Sequence, residues 1–378
     1  MNVGITCYPT YGGSGIVATE LGMELANRGH EVHFITYANP IRLDTDTPRI
    51  HYHEVEVSNY PLFQYPPYCL ALASRMAEVA ESYELDVLHV HYAVPHSISA
   101  LLARQMLAPV RRLPFITTLH GTDITLVGAD RSYFPITKFS MEQSDGITTV
   151  SDYLRRRTVE VFGVNNEIRA IKNFVNCERY HPDDAKTGAL HYAPAGDKLL
   201  LHLSNFRPVK RALDCVRILA EVRNSVPAHL LMAGDGPDRG PCEHLARELH
   251  LDRHVTFLGK QDHVERLIPL AHVLLMPSEE ESFGLAALEA MACAVVPVAT
   301  LVGGVPELVT HGEDGFLEPV GDVAAHAARV VELLSNPDLH YRMGRAGRWN
   351  AAERFCSDKI IPQYEQYYRD VVAAGIRP

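Results

Sequence analysis

Short, continuously apolar runs alternate along this chain with longer stretches whose apolar positions recur at helical spacing. Residues 3–7, 31–37, 87–90, 115–119 and 146–150 are runs of the first kind and predict strands. Residues 16–28 (closed by Gly29), 68–85, 97–107 and 152–162 are of the second kind and predict helices. Apolar strands separated by helices point to a parallel sheet covered on both faces. After a loop at 173–196 rich in Pro, Asp, Gly and Ala, the pattern restarts. Strands are predicted at 198–203, 228–233, 255–258, 273–276, 295–298 and 315–317, with helices at 212–224 and 242–249 between them. A tight turn, Gly234-Asp-Gly-Pro237, precedes the second of these helices. Two successive doubly wound halves give the expected fold class: α/β, with two Rossmann-like domains facing a cleft. The expected domains are 1–172 and 173–358. The final helices, 324–334, 339–354 and 359–372, include one long enough to cross back, so residues 359–378 are expected to pack on the first domain.

Length agrees with that division, since 378 residues exceed what one core usually organises. The formal charge of -11 carries no offsetting basic tail, and the longest basic run is Arg155–Arg157, which excludes a nucleic-acid-binding surface. Cys7, Cys69, Cys177, Cys215, Cys242, Cys293 and Cys356 are scattered without a C-x-x-C pair. They read as reduced thiols rather than a disulfide framework or a zinc site. The chain opens directly on strand-like residues and contains no apolar stretch of spanning length, so a cytoplasmic protein without stable membrane insertion is expected.

Chemistry concentrates where strands end. Glu281 and Glu289 flank a Ser-Phe-Gly turn just after the strand at 273–276. Glu281 therefore lies at a strand's carboxyl end, where ligands bind in α/β proteins, and Glu289 is expected about two turns into the helix that follows. The amides of Phe283, Gly284 and Leu285 become helix-start donors suited to an anion or a hydroxyl-rich ligand. The same spacing also fits a solvated helix start. In Ser204-Asn-Phe-Arg-Pro-Val-Lys-Arg211, three cations cluster at another strand's carboxyl end within an acidic chain. Cations are unfavourable at a helix amino terminus, and a bound diphosphate would relieve that conflict. Gly12-Gly-Ser-Gly15 lies between the first strand and the first helix, where small residues let a ligand approach the backbone. It is not the dinucleotide fingerprint: reading from Gly13, position 18 is Ala, and no acid closes the second strand. His120 ends a strand beside Gly121, with Asp123 three residues on, and can bond a sugar hydroxyl or shuttle a proton. His89, His91 and His96 resemble a metal cluster but lack an acidic partner, so no metal is expected.

Together these positions resemble retaining glycosyltransferases of the GT-B fold, of the sucrose-synthase type, over nearly the whole chain. The family's paired glutamates match Glu281 and Glu289, and its phosphate-loop lysine matches Lys210. The runs Gly234–Pro237 and Val302-Gly-Gly-Val-Pro-Glu307 are similar as well. One departure is that the customary Gly-Arg-Leu reads Ser204-Asn205-Phe206, which leaves Arg207 or Arg211 to supply the charge. Residues 5–9, 12–22, 53–57, 64–68, 91–96 and 118–125 are similar to a narrower branch that includes Asn205. That branch acts in bacillithiol biosynthesis and transfers GlcNAc from UDP-GlcNAc to the hydroxyl of L-malate.

The resemblance implies a role for each position. Domain 1–172 would bind the acceptor and 173–358 the nucleotide sugar. Lys210 with Arg211 or Arg207 would neutralise the departing UDP, and Glu289 would hold the ribose. Glu281, Ser282 and the amides of Phe283, Gly284 and Leu285 would hold the sugar, with His120 reaching it. Gly13, Gly15 and Asn205 would complete the nucleotide-sugar contacts. Ser14, Tyr92 and Thr122 are the expected acceptor contacts, with Arg75 or Arg155 for the carboxylates. Retention without metal or cofactor is implied, by front-face attack or, alternatively, with Glu281 as a covalent nucleophile, and a homo-oligomer is compatible. Three other readings stay open: the same fold with another acceptor, a non-catalytic nucleotide-sugar-binding protein, and an epimerase acting without an acceptor.

Overall fold

The computed structural model describes residues 1–58, 61–62, 64–125, 128, 130–183, 186, 188–193 and 196–374. The chain divides into two compact units: residues 1–172 with 360–378, and residues 173–359. The last four residues of the expected terminal segment, 375–378, lie outside the described residues.

The first unit is built on seven parallel strands: β1 (Asn2–Thr6), β2 (Glu31–Thr36), β3 (Ile50–Glu54), β4 (Val87–His91), β5 (Phe115–Leu119), β6 (Gly146–Thr149) and β7 (Ile168–Ala170). Their order across the sheet is β3-β2-β1-β4-β5-β6-β7. Every residue of β4, β5 and β6 is buried, and none of the three strands carries Lys, Arg, Asp or Glu. Helix Asp152–Phe162 shows how local sequence sets boundaries. Ser151 caps it by accepting from the Leu154 amide at 3.0 Å, and Gly163 ends it at φ 56°. Residues of the terminal helix Ser357–Ala374 pack on this sheet: the Tyr368 hydroxyl meets His89 Nδ1 at 2.7 Å, and Glu365 meets His30 at 2.9 Å.

The second unit holds six parallel strands: β8 (Lys198–Leu203), β9 (Ala228–Ala233), β10 (Val255–Gly259), β11 (Val273–Met276), β12 (Val296–Thr300) and β13 (Phe316–Glu318). They are ordered β10-β9-β8-β11-β12-β13. Its core joins Leu200, Leu230, Val273 and Val298 of the strands to Val216, Leu219, Val330 and Leu333 of helices Ala212–Val222 and Val323–Ser335.

Both sheets reverse their winding once, between β1 and β4 and between β8 and β11. Such switch points splay the loops at the carboxyl ends of the two central strands and leave a crevice for ligands. Several boundaries differ from expectation. The first helix begins inside the glycine run (Gly13–Asn27), and Arg239–Glu248 starts three residues early because Pro241 is tolerated in a first turn. Strands β3 and β7 and helix Phe134–Glu142 are additional elements. No helix among the described residues is long and apolar enough to cross a membrane.

Candidate active site

In the second unit the switch-point loops run from Ser204 to Arg211 after β8 and from Pro277 to Gly284 after β11. His202, buried in β8, anchors the first from below. Its Nδ1 faces the Leu275 carbonyl at 3.0 Å and must carry the proton there, so Nε2 accepts from the Ser204 hydroxyl at 2.8 Å. Burial, helped by nearby Lys210, pushes this ring down to about 4, which keeps it neutral. The Ser204 oxygen in turn accepts from the Phe206 amide at 3.1 Å. Phe206 is fully buried and stacks on His202 with centroids 5.7 Å apart. The turn 234–237 seats against this loop without side chains: a Cβ on Gly234 would collide with the Ser204 carbonyl oxygen, and one on Gly236 with that of Asn205.

The two loops are tied together at three points. Lys210 Nζ donates to Glu281 Oε1 at 2.6 Å, and the Ser278 hydroxyl donates to the same oxygen at 2.9 Å. The Glu279 amide donates to the Val209 carbonyl at 2.8 Å. Arg211 Nη1 reaches the Glu279 carboxylate at 2.9 Å, while its Nε holds Asp214 at 2.6 Å. Arg211 is thus committed to two carboxylates. Arg207, half-buried, makes no ion pair among the described residues, so it is the cation of this loop with charge to spare. Asn205 Oδ1 is buried and finds no partner, a state that polar atoms in proteins rarely keep.

Helix Leu285–Ala292 starts at Gly284, whose φ of 99° suits glycine. The amides of Phe283, Gly284 and Leu285 donate to no backbone carbonyl among the described residues, and Ser282 beside them is half-buried. The Phe283 ring lies in the core against Phe355, so only its backbone can serve a ligand. Glu289 is the fifth residue of the helix, one turn in rather than two, and is 5% exposed. Its Oε1 accepts from the Tyr180 hydroxyl at 2.9 Å. Sequence reasoning missed Tyr180, Glu279 and His202, each of which acts through a partner distant in the chain, and Ser278, which acts on Glu281 within its own loop.

In the first unit the Gly12–Gly15 loop follows β1, and Tyr92 follows β4 across the switch point. A Cβ on Gly15 would press on the Tyr8 and Thr10 carbonyl oxygens, so this turn requires glycine. Three expected contacts come together: the Ser14 hydroxyl is 3.4 Å from the Tyr92 hydroxyl, which is 3.4 Å from Thr122 Oγ1. Tyr92 holds φ at 88°, a strained value for a tyrosine and one that tends to occur at functional sites. His120 stands beside them, its ring 5.7 Å from that of Tyr92. His120 Nε2 lies 2.8 Å from His91 Nδ1, so one of the two rings donates and the other accepts. Burial lowers His120 to about 3, so it works as a neutral hydrogen-bonding group. Asp123 orients this corner by accepting from the Gly121 amide at 2.8 Å and the His120 amide at 3.1 Å, and burial raises its carboxyl to about 6.

Other expected residues lie elsewhere. His89 is satisfied by Tyr368 and by Thr118 at 2.6 Å, a structural arrangement. Arg75 pairs with Glu78 and Arg155 with Asp152, each a local pair three residues apart on its own helix.

Two Rossmann-like units, each with polar groups gathered at its switch point, define a glycosyltransferase of the GT-B fold. The family model described as Glycosyltransferase Family 4 matches residues 11–179, and that described as Glycosyl transferases group 1 matches residues 191–349. N-acetyl-alpha-D-glucosaminyl L-malate synthase of Bacillus anthracis is 48% identical to this chain over 373 residues, spanning 98% of the chain and 97% of the relative. The chain belongs to the glycosyltransferase family of that synthase. Among solved structures, sucrose-phosphate synthase from Thermosynechococcus elongatus has a TM-score of 0.82 at 24% identity, covering 99% of this chain and 100% of that one. Anabaena Alr3699/HepE in complex with UDP and glucose also has a TM-score of 0.82, at 17% identity, covering 97% and 99%. These two likenesses bear on the fold.

Proposed function

We propose that this chain is a retaining, metal-independent glycosyltransferase that moves GlcNAc from UDP-GlcNAc to the hydroxyl of L-malate in the cytoplasm. The observation that carries the reading is the near-full-length identity of 48% to a GlcNAc-malate synthase, held by a chain that brings Lys210 onto Glu281. Residues 173–359 take the nucleotide sugar. Lys210 and Arg207 face the diphosphate, the amides at 283–285 extend that anion site, and Glu289 accepts from the ribose hydroxyls. These cations and amides do the work that a divalent ion does in other transferases. Glu281 holds the sugar hydroxyls. The first unit takes malate at Ser14, Tyr92 and Thr122, and His120 hydrogen-bonds the sugar.

The bond from the anomeric carbon to the β-phosphate oxygen breaks as the malate oxygen attaches to the same face of the ring. The leaving phosphate oxygen takes the hydroxyl proton, and UDP departs. No protein nucleophile is needed on this route.

Release of UDP from UDP-GlcNAc, measured with and without L-malate, tests the assignment. We expect turnover to require malate, the product to be the α-anomer by NMR, and the rate to survive EDTA. Inert malate beside another working acceptor would assign a different substrate, and a β-product would remove retention. A second prediction follows from the buried carboxylate. Tyr180→Phe deletes a hydrogen bond to a charged group, worth about 1.5–3 kcal/mol, so KM for UDP-GlcNAc should rise roughly tenfold or more with kcat nearly unchanged. Equal loss in kcat would place Glu289 in the transition state rather than in ribose binding.

A further inference from the structure

A second cluster lies at the opposite end of the β8–β13 sheet. Asp197 immediately precedes β8, His229 is the second residue of β9, and His254 immediately precedes β10. The three strands are parallel neighbours, so these residues share the edge at which the strands begin, whereas Lys210 and Glu281 follow the ends. One potential ligand atom from each of the three lies within 4.8 Å of the others, the one such grouping among the described residues.

The chemistry of the two imidazoles is specific. His229 is 4% exposed, and its Nε2 is 2.8 Å from the Thr256 hydroxyl. Its Nδ1 is buried and has no hydrogen-bond partner, and the Nδ1 of half-buried His254 is in the same state. Buried ring nitrogens without partners are unusual, and two of them next to one carboxylate define a recognisable donor set. We propose that Asp197, His229 and His254 form a binding site for one borderline divalent cation, with Zn²⁺ the best match, through the carboxylate and the two Nδ1 atoms.

Two nitrogens and one oxygen favour zinc and its late first-row neighbours over magnesium or calcium, which prefer oxygen throughout. Thr256 accepts the Nε2 proton of His229, which leaves the Nδ1 lone pair free and fixes the ring plane, as outer-sphere partners of metal-bound histidines do. Burial also lowers the His229 pKa, so the ring is neutral and ready to ligate near pH 7. Tetrahedral zinc with bonds of about 2.0–2.1 Å needs donors about 3.3 Å apart. Donors that lie within 4.8 Å of one another reach that spacing by side-chain rotation of Asp197 and His254, which are half-buried and sit in the segments leading into their strands. Arg223 competes for Asp197 only loosely, at 3.6 Å, and its Nη1 is also held by the Ala228 carbonyl at 2.5 Å. The ion would staple three strand starts and leave a coordination position for water.

The test uses the full chain without a polyhistidine tag, loaded with Zn²⁺ and desalted. We expect about one zinc per chain by elemental analysis and a rise in melting temperature of about 5 °C over the EDTA-treated protein. Co²⁺ should give the visible absorption of a low-coordinate nitrogen–oxygen site. His254→Gln and Asp197→Asn should each weaken zinc binding by about tenfold or more while keeping the wild-type circular dichroism. They carry the test because His229→Ala empties a core position and can unfold the unit. Wild-type protein that keeps no zinc, both variants keeping zinc as wild type does, or an equal response to Mg²⁺ would each overturn the assignment.

Discussion

Lys210→Ala should lower kcat/KM for UDP-GlcNAc by about 10²–10³-fold, mostly in kcat, while the protein keeps its fold. The ammonium is the cation whose charge is matched, in the free protein, by a single carboxylate: Nζ sits 2.6 Å from Glu281. Both head groups are only partly buried, at 23% and 13% side-chain exposure, so the pair adds about 1 kcal/mol to stability. Glu281 would also keep its Ser278 donor after the change. Stability should therefore fall little. The catalytic deficit is larger because charge accumulates on the β-phosphate as the glycosidic bond breaks, and a preorganised cation there acts in the transition state more than in the ground state. Arg211 cannot substitute, since Asp214 and Glu279 already claim its guanidinium. Steady-state kinetics and a thermal melt on the same preparation decide the matter. A melting temperature that drops steeply along with activity would make Lys210 a strut between two loops. Unchanged turnover would revive the reading of a nucleotide-sugar-binding protein that does no chemistry.

What could be read from sequence follows from how far apart the partners lie. A strand such as β11, Val-Leu-Leu-Met, announces itself because burial on both faces leaves nothing polar to confuse the pattern. Strand β3 hides, since its sequence Ile-His-Tyr-His-Glu belongs to an edge that pairs with β2 alone. The glycine run, Lys210 and the two glutamates were legible because strand–loop–helix order puts them at carboxyl ends. Their partners were not. Tyr180 meets Glu289 across 109 residues, and Lys210 meets Glu281 across 71, so no local pattern encodes either pair. The same distance effect hid the commitment of Arg211, because the Glu279 that claims it comes from the other loop. Sequence could offer Arg207 and Arg211 as equals, and only the folded loops separate them.

Gly303→Ala should damage the site through the backbone, and a second glycine shows how to prove it. Gly303 holds φ at 55°, where an alanine pays about 1–2 kcal/mol. Its added methyl would also collide with the Glu281 carbonyl oxygen, the oxygen that accepts from the Gly304 amide at 2.9 Å. A side chain in the way could rotate aside, but a carbonyl carries its loop with it. Relieving the overlap means moving the segment that presents Glu281 and the 283–285 amides, at a further cost of about 1–3 kcal/mol. For a unit of this size the sum should lower the melting temperature by roughly 5–15 °C. Displacement of the sugar-binding loop by even about 1 Å should cost about 10²-fold in kcat. Gly312, at φ 82° with open space where its methyl would go, isolates the conformational part. Gly312→Ala should therefore show the smaller stability loss and wild-type turnover. If the two variants melt alike and both turn over normally, the glycine pair is there for chain direction alone. If Gly303→Ala loses turnover out of proportion to its melting shift, the close seating of residues 303–304 under Glu281 is what sets the sugar site.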